Sequence, residues 1–202
     1  MSEPQGIDIS NVQGARFPWT AERGKIAFGM CKATEGLTYT DADFAGNWDS
    51  MRTLDRMMPR FAYHFLHPWQ DPVAQARRFV GAVQAQGLLP GDNFVLDTEV
   101  TGGLPPAQVA AAGVSFLRCV NELAPGHRVL IYTYPSFAAA GNCAGMGAWF
   151  LWVADYGVTR PAVPAPWTAW TFWQFSSAPI DRDCFNGTPA GLLEFCRMPA
   201  SR

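Results

Sequence analysis

Short apolar runs alternate with helical segments from Gly6 to Thr133, and this alternation constrains the fold more than any other feature of the chain. The strand-like runs are Gly6 to Ser10, Lys25 to Ala33, Arg60 to Leu66, Asn93 to Val100 and Arg128 to Thr133. Their near-continuous apolar character predicts strands covered on both faces. Between them, Asp41 to Met58 carries Phe44, Trp48, Met51, Leu54 and Met58 at helical spacing, with Asp41 or Asp43 as N-cap and Pro59 as a stop. Val73 to Gln86 sets Val73, Ala76, Val80 and Val83 on one face and ends at Gly87. Pro105 to Ala124 is the clearest helix, with Val109, Ala112, Phe116, Val120 and Leu123 in one stripe. Alternation of this kind implies parallel strands and right-handed crossovers. Beyond Thr133, Trp149 to Tyr156 and Thr171 to Ser176 read as aromatic-rich strands separated by a proline-rich loop, and 189–196 as a short closing helix. Roughly seven or eight strands predict a compact, irregular α/β barrel, with an open doubly wound sheet as the alternative.

Bulk properties remove several classes. The net charge is -2 and no basic run occurs, so nucleic acid is not an expected partner. No apolar stretch approaches the ~18 residues of a membrane span, so no membrane insertion is expected. Met1 to Gln5 lacks a positive region followed by an apolar core, and the chain is read as made in a reducing (host) cytoplasm without a signal peptide. The five scattered cysteines read as free, buried thiols, with a Cys184–Cys196 disulfide left open. His64-x-x-His67 is too little for a metal site, and no glycine fingerprint follows the first strand, so neither metal nor cofactor is expected.

The chemistry concentrates at Asp97 and Glu99, two acids at i and i+2 on the end of a buried strand. Alternation points both the same way, with Cα atoms about 6–7 Å apart. Mutual repulsion and desolvation should split their titration, leaving one neutral and one ionised. In barrels of this type, chemistry sits at the C-terminal strand ends. Those ends carry Asp8, then Lys32 and Glu35, Tyr63 and His64, Tyr132, Trp152 and Tyr156, and finally Asp181 and Asp183. No Ser-His or Cys-His pairing appears among them. Acids and flat aromatic rings suit a carbohydrate.

Gly6-Ile7-Asp8-Ile9-Ser10, Lys32-Ala33-Thr34-Glu35-Gly36 with Tyr39 and Asp41, Ala62-Tyr63-His64-Phe65, Leu96-Asp97-Thr98-Glu99, Ile131-Tyr132-Thr133, Leu151-Trp152-Val153-Ala154-Asp155-Tyr156, Trp173-Gln174-Phe175-Ser176 and Ile180-Asp181 follow one another in order. In this series, from Gly6 to about Gly187, the chain resembles the glycoside hydrolase family 25 muramidases, the Chalaropsis-type lysozymes of bacteria, fungi and phages. The resemblance implies one catalytic domain over 1–202, a single-domain irregular TIM-like barrel of about (β/α)5(β)3, with no separate wall-binding domain. It implies hydrolysis of β-1,4 bonds between N-acetylmuramic acid and N-acetylglucosamine in bacterial peptidoglycan, by a monomer. Glu99 would be the general acid, and Asp97 would orient the substrate's 2-acetamido group or serve as a second carboxylate. Asp8 and Asp181 would line the same cleft, and Tyr63 and Tyr132 would contact the acetamido region. Phe65, Trp152, Tyr156 and Trp173 complete the candidate sugar-binding set, the last three serving equally well as core. Lys32 and Glu35 read as a structural ion pair and His64 as a hydrogen-bonded inner residue. Two departures stand out: Val12 replaces a frequent aromatic, and Asp181-Arg182-Asp183-Cys184-Phe185 replaces a usual D-x-N-x-F, with Arg182 able to pair with a carboxylate if it points inward. The expected source is a phage endolysin. The alternatives are a non-catalytic glycan-binding module and a chitinase-like hydrolase.

Overall fold

The computed structural model describes residues 3–14, 17–55 and 58–197. Strand β1 (Gln5–Ile9) is followed by α1 (Trp19–Glu22), β2 (Phe28–Glu35), β3 (Tyr39–Thr40), α2 (Phe44–Leu54), β4 (Arg60–Phe65), α3 (Pro72–Ala85), β5 (Asn93–Asp97) and α4 (Pro106–Leu123). The chain continues through β6 (Val129–Thr133), α5 (Pro135–Phe137), β7 (Phe150–Ala154), β8 (Phe172–Ser176), β9 (Asp181–Phe185) and α6 (Pro189–Cys196). The sheet runs β1-β9-β8-β7-β6-β5-β4-β2, and a further β1–β2 pairing closes it into a barrel, with β3 as a short flange on β2. All neighbouring pairs from β1 and β2 round to β8 are parallel, whereas β9 is antiparallel to both β8 and β1.

The expected barrel is therefore present, and the open sheet is not. Strand β9 was not legible as a strand, because Asp181, Arg182 and Asp183 give it no apolar alternation. Its charges divide by face: Arg182 turns outward to Glu22 at 3.3 Å, while Asp181 and Asp183 enter the barrel. Arg182 thus does not neutralise the inner acids.

Two apolar layers hold the fold. Outside the barrel, α2, α3 and α4 press Trp48, Met51, Phe79, Val83, Phe116 and Val120 against Ile7, Cys31, Ala62, Phe94, Leu96 and Ile131. His64 belongs to this layer. Its ring packs against Phe79 and Phe116, its Nδ1 is 2.7 Å from Thr34 Oγ1 and its Nε2 is 3.1 Å from Gln75 Oε1. Burial holds it neutral, with its pKa lowered to about 3. All five cysteines are free and buried.

Inside the barrel, Phe28, Met30, Phe61, Val95, Leu130, Trp152, Phe172 and Phe185 fill the lower part, and Leu192 and Cys196 of α6 close the bottom. Gly6 leaves room for the Phe28 ring, which would lie 2.3 Å from an added Cβ. Gly6→Ala is expected to cost about 1–3 kcal/mol through overpacking. Urea denaturation would show it as a lower midpoint at unchanged slope.

The strand period of two then dictates what lies above this floor. One inward step further along, Gly6 gives way to Asp8, Phe61 to Tyr63, Val95 to Asp97, Leu130 to Tyr132 and Phe172 to Gln174. On antiparallel β9, Phe185 gives way to Asp183 and then Asp181. An apolar plug therefore ends in a polar ring at the C-terminal mouth.

Candidate active site

That ring forms a cavity of about 170 Å³ lined by Asp8, Tyr63, Asp97, Glu99, Tyr132, Trp152, Tyr156, Gln174 and Asp181. A wider groove of about 570 Å³ continues from it, lined by Glu99, Tyr132, Tyr134, Pro135, Ser136, Ala154, Asp155, Tyr156 and Ala162. Glu99, Tyr132 and Tyr156 border both, so the two form one cleft with Glu99 at the junction. A separate apolar pocket at the barrel bottom, lined by residues such as Met58, Leu89 and Leu193, holds no comparable chemistry. Its acid, Asp92, is committed to Arg60 through bonds of 2.8 and 2.5 Å.

Strand β5 ends at Asp97, so Glu99 stands just beyond the ladder. Its backbone is still held: Thr98 N–H donates to the Tyr132 carbonyl at 3.0 Å, and the Tyr134 hydroxyl donates to the Glu99 carbonyl at 3.4 Å. The following turn uses Gly102 at φ +58, packed against Trp69, whose ring would lie 1.9 Å from an added Cβ.

Gln174 organises the opposite wall. Its Nε2 donates to Asp8 Oδ2 at 2.6 Å, while its Oε1 accepts from the Tyr132 hydroxyl at 2.8 Å and from the Tyr156 hydroxyl. One amide thereby fixes an acid and two tyrosines. The sequence reading quoted Gln174 within a motif but gave it no role. Its inward face follows from Phe172 two residues before it, a parity that the aromatic Trp173 on the other face hides in the sequence.

Desolvation raises the titration of Asp8, Asp97, Glu99 and Asp181. Burial pushes Asp8 up to about 8, with the charge of Asp181 adding and hydrogen bonds from Gln174 and Asp183 opposing. Burial alone pushes Asp181 up to about 6. Asp97, deeply buried beside Glu99, is held well above the usual carboxylate range by burial and then by that neighbour's charge. Glu99 is raised by burial, and Lys32 opposes the shift at both members of the pair. The pair therefore keeps a proton to higher pH than two isolated acids would. The deeper acid, Asp97, is the more strongly affected, but Glu99 is the one that borders the open groove.

Lys32 is thus more than a brace. It pairs with Glu35 at 2.5 Å, Glu35 reaches His67 at 3.1 Å, and the Lys32 ammonium lies 5.0 Å above the Phe65 ring.

The structure brings Asp8, Asp97, Glu99, Asp181, Tyr63, Tyr132, Trp152 and Tyr156 to one cleft. It does not bring Trp173 there, which decides between that residue's two readings in favour of core. Phe65 ends β4 on the face of Tyr63, beside Asp97 in the β4–β5 register and beneath Lys32. Trp173 lies on the face of β8 opposite Gln174, packs into the outer layer and donates from Nε1 to the Asp155 carbonyl at 2.7 Å. Trp152 borders the cavity but is 2% exposed, which makes it floor; Tyr156, at 48%, presents an open ring. Val12 is exposed on the turn after β1 and offers no aromatic face. Among the described residues, no group of three or more His, Cys, Asp or Glu side chains is placed to hold a metal ion.

Comparison with known proteins adds an independent line. Residues 7–184 match the family described as glycosyl hydrolases family 25. Lysozyme M1 of Streptomyces globisporus is 34% identical over 222 residues, covering 97% of this chain and 72% of that protein. The N,O-diacetylmuramidase of Chalaropsis sp is 30% identical over 191 residues, covering 86% of this chain and 88% of its own. The crystal structure of the bacterial lysozyme from Streptomyces coelicolor superposes with a TM-score of 0.85 at 32% identity, covering 97% of this chain and 98% of that one.

Proposed function

The chain belongs to glycosyl hydrolases family 25, and from that premise we propose that it is an N-acetylmuramidase in which Glu99 is the general acid. It is a glycoside hydrolase of the lysozyme class, acting on peptidoglycan. The bond we assign is the β-1,4 link from N-acetylmuramic acid to N-acetylglucosamine. The observation that carries the residue assignment is the position of Glu99 at the junction of cavity and groove. A glycan strand lying along the cleft passes its scissile oxygen over that carboxyl.

The chemistry follows from the geometry. Burial raises the Asp97/Glu99 pair so that it keeps a proton. In the form that carries it on Glu99, that residue delivers it to the departing glycosidic oxygen while Asp97 is the charged partner. Positive charge then develops on the neighbouring sugar ring, above a cavity floor carrying Asp97 and Asp8 with Asp181 beside them. Carboxylates fixed in a partly desolvated site stabilise that charge more than water does. Asp97 is close enough to Glu99 to raise its own pKa, and it takes the assisting role. Tyr63 and Tyr132 stay neutral at working pH, since burial raises both. They act as hydrogen-bonding walls for the acetamido side. The open Tyr156 ring provides a stacking face. We assign the activity to a monomer that needs no nucleic acid or metal.

The test is the product. Peptidoglycan digested by the purified protein should yield fragments whose new reducing ends are N-acetylmuramic acid by mass spectrometry. Reducing N-acetylglucosamine ends would reassign the bond. Wall binding without fragments would leave a binding module.

Lys32 supplies a second, quantitative check. Its cation lowers the titration of both Asp97 and Glu99. Lys32→Met removes that stabilisation of the charged forms, so both pKa values rise. The pH–rate profile should move to higher pH on both limbs. An unmoved profile would show that Lys32 does not act on the pair.

A further inference from the structure

Asp183 is fully enclosed, more so than Asp8 at 5% or Asp97 at 6% exposure. It faces Gln174 directly across the β8–β9 ladder and touches Asp8 side chain to side chain. Its Oδ1 accepts from Trp152 Nε1 at 2.8 Å. Its Oδ2 is buried and receives a hydrogen from no donor. The facing carboxyl, Asp8, already has Oδ2 occupied by the Gln174 amide at 2.6 Å. Two carboxylates in contact, both out of water, are unstable unless a proton lies between them.

The positions of the neighbours say which acid carries it. Trp152 can only donate, so Oδ1 of Asp183 must be an acceptor and a proton on Asp183 sits on Oδ2. Asp8 borders the open cavity and is held by an amide donor, both of which favour its charge. We propose that Asp183 is a neutral carboxylic acid whose Oδ2–H donates to Asp8, a positioning residue that favours the ionised form of Asp8 against its burial. The orphaned oxygen is then satisfied, and every polar atom of the Trp152–Asp183–Asp8–Gln174 chain has a partner. The surrounding groups agree. Asp181 on β9, Asp97 at the end of β5, Glu99 beyond it, and Tyr63, Tyr132 and Tyr156 all face this region; Lys32 on β2 acts on the Asp97/Glu99 side, and Arg182 points away to Glu22. Burial and the charges of Asp8 and Asp181 hold Asp183 well above the usual carboxylate range.

Asparagine is the mimic of this state: its Oδ1 accepts from Trp152 and its amide donates to Asp8. It differs in one respect, since it cannot lose the proton. The folded chain keeps a proton on Asp183 that the unfolded chain releases above about pH 4. The stability contributed by this group is therefore complete below that pH and declines as pH rises.

The experiment is thermal unfolding of the full chain and of Asp183→Asn across pH. The Tm of the variant minus that of the wild type should grow steadily from about pH 4 upward. A difference that is flat or shrinks with pH overturns the proposal. The Trp152 indole N–H, assigned by its loss in Trp152→Phe, gives an atomic readout. Its NMR shift should stay constant through about pH 3–5, where ordinary carboxyls titrate; movement in that window overturns the neutral assignment. The consequence for turnover rests on the muramidase reading. There Asp183→Leu, which leaves the Trp152 indole N–H without an acceptor and Asp8 with Gln174 as its donor, should lose about tenfold or more in kcat/KM. Asp183→Asn should restore most of that loss and keep activity to higher pH than the wild type. If hydrolysis is absent in every form while the thermal and NMR results hold, the proposed reaction fails and the shared proton stands.

Discussion

Glu99→Gln is expected to slow peptidoglycan hydrolysis by about 10²- to 10⁴-fold, with KM little changed and the barrel intact. The amide keeps the size and polarity of the side chain at the cleft junction, so strand binding persists. What disappears is the transferable proton. At about 1.4 kcal/mol per decade, the loss corresponds to roughly 3–5 kcal/mol of transition-state stabilisation. The variant also relieves repulsion within the Asp97/Glu99 pair, since Asp97 is raised in part by the charge of Glu99. Its Tm should therefore equal or exceed that of the wild type. Steady-state kinetics beside circular dichroism separates these effects. A large rise in KM with unchanged kcat would mark Glu99 as a binding group instead.

Asp97→Asn should separate function from stability more sharply. Asp97 is buried with Oδ1 lacking any donor. A carboxyl in that position is costly to the fold and persists where charge is needed. Replacing it with an amide should stabilise the protein, increasingly so as pH rises, because the Asp97/Glu99 pair binds a proton in the folded state that the unfolded chain releases. Activity should fall by about 10²- to 10³-fold, the scale for removing one fixed electrostatic partner of a developing charge. Parallel melting and rate measurements test both halves. A variant that is both less stable and less active would make Asp97 a structural residue.

Much of this account was visible in the sequence for a physical reason. The central strands are covered on both faces, so β5, buried throughout, reads as an apolar run from Phe94 to Leu96. The same burial makes the acids after Leu96 conspicuous, and the strand period places Asp97 and Glu99 together. Strand β9 stayed hidden because its inward positions belong to the site rather than to the core, leaving Asp-Arg-Asp where a strand would show apolar alternation. On β8 both faces carry aromatics, Phe172 inward and Trp173 outward, so parity was invisible and Trp173 could be read either as core or as a sugar platform. Gln174 and Asp183 act through hydrogen bonds to residues distant in the chain, Asp8 being 166 positions from Gln174. No local pattern signals such partners. The departure at Asp183 was visible as a residue change, but its meaning required knowing that Trp152 and Asp8 converge on it.

The central claim is that Glu99 gives its proton to the leaving oxygen. The most direct measurement compares wild type and Glu99→Gln on two substrates of the same glycone: the natural β-1,4-linked glycan, and an aryl glycoside whose phenolate departs without protonation. A general acid matters in proportion to the basicity of the leaving group. The account predicts a deficit of about 10²-fold or more on the glycan and little or none on the aryl glycoside. An equal deficit on both would contradict it, and would move the proton to another residue of the cleft.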